Sequence, residues 1–232
     1  MRKLSMKFVV LSASLFLLAS CGKDEDNSNP TATANVMVVH ASPNAPNVDV
    51  RVNSNIALTN VAFPANSAYT TVVAGATNIK VSPTGTTTYV IDANVVLEGN
   101  KNYSVFAVDS VNKIKAAVTV DDLTAPAAGK SHVRFLHLSP NAPAVDIAVA
   151  GGPVLFNNRT FNDQSTNAAL SNFTPLNAGT YNLEVRLAGT STVVLALPNI
   201  TLTAGKIYTV FAKGFVGGTG AQALGAQLIA NN

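Results

Sequence analysis

The sequence predicts an all-β protein in which two tandem antiparallel β-sandwich domains follow each other along the chain. The five-residue segment Ser-Pro-Asn-Ala-Pro occurs twice, with matching residues on both sides, and such a match indicates a repeated structural unit. Short segments rich in Val, Ile, Thr and Tyr, separated by turn residues, follow each copy, as is typical of antiparallel strands. Hydrophobic residues form 47% of the chain and charged residues 12%, which is enough apolar material for packed cores.

The start of the chain is predicted to be a lipoprotein signal peptide that covers residues 1–20. A basic beginning is followed by an apolar stretch over residues 8–18, which is short for a membrane span. The stretch ends in Leu-Ala-Ser-Cys, which resembles the lipobox of bacterial lipoproteins, and Cys21 is the only cysteine. The resemblance implies that Cys21 is acylated and anchors the protein to a membrane through its acyl chains. The alternative is an ordinary signal peptide with a cysteine there by chance.

Residues 21–34 are predicted to form a flexible tether behind the lipid. The tether begins with a lysine and three acidic residues, Lys23, Asp24, Glu25 and Asp26. This run resembles the surface-export signal of Bacteroidetes lipoproteins, which implies an outer-membrane protein that faces the cell exterior. The alternative interpretation is a solvated charge run with no signal function.

The charge of the mature chain argues against nucleic-acid binding. Removal of the signal peptide takes Arg2, Lys3 and Lys7 from the 15 Lys and Arg residues, which leaves 12 against 12 Asp and Glu. A neutral chain without clustered basic residues lacks the groups that neutralise phosphates.

The repeated motif organises the two predicted domains. Its residues are Ser42, Pro43, Asn44, Ala45 and Pro46 in the first copy and Ser139, Pro140, Asn141, Ala142 and Pro143 in the second. A histidine precedes and an aspartate follows each copy at the same spacing, at His40 and Asp49 and at His137 and Asp146. Two prolines in five residues exclude a helix and a continuous strand, so the motif predicts a turn between strands.

The repeat predicts domains over residues 35–123 and 131–232, joined by a linker at 124–130 that is short enough for them to touch. The first strand of each domain precedes the motif and the second follows it. The other strands are predicted at 69–73, 77–81, 88–96, 102–108 and 115–120 in the first domain and at 166–173, 180–187, 192–202, 207–213 and 221–229 in the second. The second copy is longer, and its extra residues are predicted to form a loop within 151–176. An immunoglobulin-like or transthyretin-like arrangement fits this number of strands.

Alternation along the strands assigns the polar motif residues to faces. His40 and His137 fall on the inward face, where their rings are predicted to bond to the backbone of a hairpin turn formed by the motif. Asp49 and Asp146 fall on the outward face, where they are predicted to cap a turn or accept a backbone N–H. Arg134 is predicted to face solvent. Because each motif histidine and its aspartate fall on opposite faces, they are not expected to form a catalytic pair.

The repeated pattern His-x-Ser-Pro-Asn-Ala-Pro-x-Val-Asp, with a later Tyr-[Ser/Thr]-Val-Phe-Ala strand at Tyr103 and Tyr208, resembles domain of unknown function 4397. This is a β-sandwich family of bacterial secreted and cell-surface proteins, often lipoproteins and often in tandem. The resemblance covers both repeats. It implies export and an all-β fold, and it implies no activity.

A second short match concerns modification. Asp109-Ser110-Val111 resembles the three-residue O-glycosylation site of Bacteroidetes exported proteins, which implies a glycan on Ser110. Such short matches also arise by chance.

The sequence favours a binding protein over an enzyme. It has no nucleophile elbow, zinc-protease motif, P-loop or dinucleotide-binding glycine motif, so we expect no catalysis, metal or cofactor. The predicted function is a structural, adhesive or protein-binding role in the outer envelope, with an extracellular protein as partner. The alternative is a glycan-binding accessory lipoprotein, for which the absence of Trp leaves few stacking residues. An enzyme is the third hypothesis.

Overall fold

Four four-stranded sheets make up the part of the chain that the computed structural model describes, residues 31–232. The predictions for the signal peptide, for the acylation of Cys21 and for the export signal at Lys23–Asp26 lie outside the described residues. The helices of the described part are short 3₁₀ turns, and none is long and apolar enough to cross a membrane.

The first repeat folds into a β-sandwich of eight strands. Its strands are β1 (Thr33–His40), β2 (Val48–Val52), β3 (Asn55–Val61), β4 (Thr70–Val73), β5 (Gly75–Pro83), β6 (Ile91–Leu97), β7 (Asn102–Val108) and β8 (Lys115–Asp121). One sheet has the order β4-β1-β7-β8 and the other the order β3-β2-β5-β6. Alternate residues of both sheets, including Val38, Val50 and Ile79, pack into a core between them.

The second repeat folds in the same way. Its strands are β9 (Lys130–His137), β10 (Val145–Val149), β11 (Val154–Arg159), β12 (Thr174–Asn177), β13 (Gly179–Leu187), β14 (Val193–Leu202), β15 (Ile207–Lys213) and β16 (Gly225–Ala230). Its sheets have the orders β12-β9-β15-β16 and β11-β10-β13-β14, around a core that includes Phe135, Ile147 and Val210. The prediction of two tandem all-β sandwiches is therefore confirmed.

Each sandwich contains one strand pair that the antiparallel prediction did not include. β1 runs parallel to β7 and β9 runs parallel to β15, whereas the other pairs are antiparallel. The reason lies in the motif. It carries the chain from one sheet to the other instead of closing a hairpin, so the neighbours of β1 come from later in the chain and one of them runs in the same direction.

Two further departures concern individual elements. The segment predicted as a strand at 166–173 instead contains a 3₁₀ turn at Ala168–Ser171 and follows another at Asp163–Ser165. The side chain of Asn167 accepts the N–H of Ala169, and such local bonds compete with strand pairing. Strands β3, β11 and β12 were not predicted, because they are edge strands with mixed polar and apolar residues and little alternation.

The two sandwiches pack against each other through the sheets that contain β1 and β9. A third apolar cluster lies between these sheets and includes Met37, Val39, Leu136 and Leu138. At its centre the rings of Phe106 and Phe211 meet edge to face, with centroids 6.3 Å apart, an arrangement that aromatic pairs favour. The faces of β1 and β9 that point away from their own sandwich are therefore largely covered by the other sandwich, which explains why Met37, Val39 and Leu136 are apolar.

Candidate functional site

Each copy of the motif is a crossover between the two sheets of its sandwich. β1 ends at His40 in one sheet and β2 begins at Val48 in the other. The predicted hairpin, in which His40 would face Val48, is therefore wrong. The prolines explain the crossover, because they interrupt strand hydrogen bonding and restrict the backbone at the point where the chain leaves the sheet.

The motif histidines are fully buried against the crossover. Nε2 of His40 lies 3.0 Å from the carbonyl oxygen of Pro46, and Nε2 of His137 lies 3.0 Å from that of Pro143. Because a carbonyl only accepts, each Nε2 carries the proton and each neutral ring leaves Nδ1 as an acceptor. Nδ1 of His40 receives the N–H of Ser42 at 3.4 Å, whereas Nδ1 of His137 has no hydrogen-bond partner among the described residues.

The buried histidines predict a loss of stability in mild acid. Burial, the largest cause, lowers the pKa of His40 and of His137 below the ordinary value of 6.5. The unfolded chain therefore binds more protons just below pH 6.5, so stability is complete above this pH and falls as the pH drops through it. We expect the midpoint of urea unfolding to decrease between pH 7.5 and pH 5.

A variant with both histidines replaced by glutamine should show a flatter profile over this range. Ring-proton NMR titration of His40 and His137 measures the two pKa values directly. Values at or above 6.5 would contradict the prediction. The lowered pKa of the Asp49 carboxylate does not contribute in this window, because it lies below the ordinary value of 3.8.

The motif aspartates connect three strands. Oδ1 of Asp49 accepts the N–H of Asn60 at 2.9 Å and Oδ2 accepts that of Gly85 at 3.0 Å. Both donors have left-handed backbones, with φ of 56° and 78°. These bonds, that of Gly85 first, lower the pKa of Asp49.

In the second repeat Asp146 accepts the N–H groups of Asn158 at 2.6 Å and Gly189 at 2.8 Å. Asp49 and Asp146 lie on the face opposite the core valines and accept backbone N–H groups, as predicted, but they are only 7% and 6% exposed. Neighbouring turns fold over both aspartate side chains. The alternation of residues within a single strand gives no information about such covering.

The motif asparagines hold the loop that follows the parallel strand. Oδ1 of Asn44 accepts the N–H of Val111 at 2.8 Å, next to Ser110, which is half-buried and donates to Asp109 at 3.3 Å. In the second repeat Asn141 binds the backbone of Val216 twice, through Nδ2 at 3.1 Å and Oδ1 at 2.9 Å. The motif therefore ties both sheets and this loop together.

A polar cluster that sequence reasoning missed lies between the two repeats. Nη1 of Arg134 and Oδ1 of Asp121 form a 2.7 Å ion pair, and both side chains are completely buried. Arg134 also donates to Oγ1 of Thr209 at 2.8 Å and to Oγ1 of Thr119 at 3.1 Å, so it is bonded to both repeats. The Tyr69 hydroxyl donates to Oδ2 of Asp121, and burial followed by this negative charge raises the pKa of Tyr69 above its ordinary value.

The prediction that Arg134 faces solvent is wrong for a tertiary reason. The side chain does lie on the face opposite Phe135, but that face is covered by the first repeat. Arg134 stands three residues before its motif histidine, where the first repeat has Met37. Asp121 ends β8, whereas Asn231 follows the equivalent strand β16. The second repeat thus provides the cation, Arg134, and the first repeat provides the anion, Asp121. The equivalent position is uncharged in the other repeat in each case, at Met37 and Asn231.

The longer loop of the second repeat contains another buried ion pair. Arg159 binds Asp163 through two hydrogen bonds of 2.8 and 2.7 Å. The same guanidinium donates to the carbonyl oxygens of Phe135 and Leu170. The residues between β11 and β12 pack on β8 and β9. The insertion therefore serves as a contact between the repeats.

Two edge strands of the first sandwich carry exposed valines. β6 and β8 are each the last strand of their sheet, and they contact each other at one side of the first sandwich. Val96 on β6 is 76% exposed, and Val118 and Val120 on β8 are 37% and 56% exposed. We call these three residues the valine edge. Unpaired strand edges with apolar side chains are recognised by other strands or loops.

Other exposed large hydrophobic side chains lie on β3, β4, β11 and β14, before β6, and in the loop after β15. Tyr89 is the single aromatic residue among the exposed large hydrophobic side chains of residues 31–232, and Nζ of Lys80 lies 4.8 Å from its ring centre. In the same part of the chain no three His, Cys, Asp or Glu side chains are grouped so that they could hold a metal ion.

Comparison with known proteins gives one result. No curated protein matches the chain. The model of the family described as domain of unknown function (DUF4397) matches residues 34–148, which span the whole first sandwich, the linker, β9, the second copy of the motif and most of β10. Both crossovers with their histidines and aspartates lie inside this match. Residues 34–148 therefore belong to the DUF4397 family.

Proposed function

We propose that this protein is a non-catalytic, lipid-anchored surface protein of the bacterial outer envelope, and that its two sandwiches bind other proteins in a structural or adhesive role. The lipobox-like segment that ends at Cys21 supports lipid anchoring, and the charged run Lys23–Asp26 supports display on the cell surface. A tether between lipid and sandwich keeps the folded part away from the membrane surface.

The valine edge is the observation that supports a protein partner. Soluble proteins usually protect their edge strands with charges, prolines or covering loops. Here two adjacent edge strands present valines that are up to 76% exposed. An extended segment of a partner can pair with such an edge through its backbone, while the valines contribute apolar contact. Exposed apolar side chains on unpaired edge strands are typical of a protein-binding surface.

The contacts of the motif support a non-catalytic role. A general base or nucleophile must have a free polar atom that reaches the substrate. Asp49 and Asp146 instead accept backbone N–H groups with both of their oxygens, and Nε2 of each motif histidine is bound to a proline carbonyl. The polar groups of the motif therefore stabilise the crossover.

Glycan binding is the second candidate, and Tyr89 is the observation that favours it. Sugars stack on exposed aromatic rings, and neighbouring cations such as Lys80 can bind acidic sugars. One ring provides a smaller platform than the valine edge, so we place this function second.

Intact cells that display wild type, Cys21→Ala, Val120→Lys or Tyr89→Ala test the proposal. External protease should remove the wild-type protein, and Cys21→Ala should appear unanchored in the medium. Adhesion of the cells to wells coated with collagen or fibronectin should decrease several-fold with Val120→Lys, because a lysine on an edge strand prevents pairing. It should be unchanged with Tyr89→Ala.

Two other results would contradict surface display and the protein partner, respectively. Wild-type protein that survives protease but remains in the membrane fraction places the protein in the periplasm and refutes surface display. Binding to glycan-coated wells that is lost with Tyr89→Ala and kept with Val120→Lys replaces the protein partner with a glycan. Val120 and Tyr89 are both exposed, so neither substitution removes core packing.

A further inference from the structure

The second sandwich contains an apolar cavity that the first sandwich lacks. The cavity has a volume of about 220 Å³ and lies between the two sheets beside the motif, lined by Phe135, His137, Val145, Val185 and Ala226, among others. The corresponding space of the first sandwich, beside His40, has a volume of about 10 Å³. Protein interiors are normally packed without voids of the larger size.

The cavity has an open, ordered rim. Val194 and Val216 line it and are 40% and 48% exposed, so its mouth is apolar. The backbone of the rim residue Val216 accepts one hydrogen bond from Nδ2 of Asn141 and donates another to its Oδ1, and Oγ of Ser139 donates to the carbonyl oxygen of Gly214 at 2.7 Å. A Cβ on Gly214 would lie 2.1 Å from the Ala223 carbonyl oxygen, so the loop is folded tightly on itself. The cavity is therefore preformed.

His137 adds one polar function to this apolar space. It lines the cavity, is completely buried, and has an Nδ1 without a hydrogen-bond partner. The bond from Nε2 to the carbonyl oxygen of Pro143 fixes Nδ1 as an acceptor. In the first repeat, where the equivalent space is filled, Nδ1 of His40 already receives the N–H of Ser42. A buried acceptor that is left unpaired favours a ligand with a donor.

We propose that this cavity binds a small apolar molecule, an aromatic ring or a short alkyl chain, that donates one hydroxyl or N–H hydrogen bond to Nδ1 of His137. An apolar protein cavity of about 150 Å³ stays dry and binds benzene, so the volume here is sufficient for one substituted ring. This inference is independent of the proposed surface display and of the valine edge.

Phenol and benzene are suitable probes, because they differ by the donor. The mature chain with Cys21→Ala, which has no acyl groups to compete, can be titrated with each while methyl NMR signals are recorded. Phenol should shift the signals of Val145 and Val185 saturably and leave those of Val48 and Val81 in the first core unchanged. Benzene should bind at the same place about three- to tenfold more weakly, as expected for the loss of one hydrogen bond.

A matched pair of substitutions locates the binding. Ala226 pairs with Ala212 on β15, and Ala116 pairs with the equivalent Ala107 on β7. Ala226→Leu should fill the cavity and weaken phenol binding at least tenfold. Ala116→Leu, in the filled sandwich, should keep phenol binding and lower the melting temperature through overpacking. Val194→Phe, at the exposed rim, should also block entry and does not depend on repacking of the core.

The proposal is overturned if phenol produces no saturable shift, or if Ala226→Leu and Val194→Phe both bind phenol with wild-type affinity. Equal affinity for benzene and phenol would refute the hydrogen bond to His137.

Discussion

Replacing Arg134 with methionine should lower the free energy of unfolding by about 3–5 kcal/mol, because it leaves a buried carboxylate without its cation. Asp121 and Arg134 are both completely buried, so water cannot replace the lost partner. The substitution also removes the donors to Thr209 and Thr119. Methionine is the residue that the first repeat has at this position, as Met37, so its shape suits the site. Urea unfolding followed by circular dichroism measures the change.

If the unpaired charge of Asp121 causes the loss of stability, a second substitution that removes this charge should restore the stability. Asp121→Asn, which introduces the residue found at the equivalent Asn231, should restore most of the stability of the Arg134→Met variant, since no buried charge then remains. Lys80→Met is a matched control, because the Lys80–Asp92 pair is 3.5 Å long, with side chains 25% and 53% exposed, and its loss should change stability by less than about 1 kcal/mol. If the double variant is as unstable as the single one, packing rather than charge determines the interface.

Replacing Asp146 with alanine should cost about 3 kcal/mol, because two backbone N–H groups lose a charged acceptor. These donors belong to Asn158 and Gly189, on either side of β10. Asn158 has a left-handed backbone, with φ of 47°, which is unfavourable for a residue other than glycine, so the carboxylate stabilises this turn. Differential scanning calorimetry measures the loss as a lower melting temperature.

The Asp146→Asn variant distinguishes the contributions of the two hydrogen bonds. Its amide has one oxygen, so it can accept only one of the two N–H groups, and Asp146→Asn should be intermediate between wild type and Asp146→Ala. If asparagine is as stable as aspartate, one of the two hydrogen bonds does not contribute. If alanine has no effect, the crossover does not require the motif aspartate, and its occurrence in both repeats needs a different explanation.

Features that depend on the local order of residues along the chain could be predicted from the sequence alone. Alternating apolar residues and prolines predicted the strands and the break at each motif, and the two copies of Ser-Pro-Asn-Ala-Pro predicted two sandwiches of one kind. Alternation also placed His40 and His137 on the inward side. These inferences hold because side-chain period and backbone restriction are properties of neighbouring residues.

What covers each strand face, by contrast, depends on the tertiary fold. Arg134 is on the side that alternation predicts, yet the first repeat covers it, and Asp49 is enclosed by turns that come from other strands. The cavity in the second sandwich depends likewise on how the loop after β15 is held by Asn141. Burial and hydrogen-bond partners arise from residues far apart in the chain, and a pattern within one strand contains no information about them.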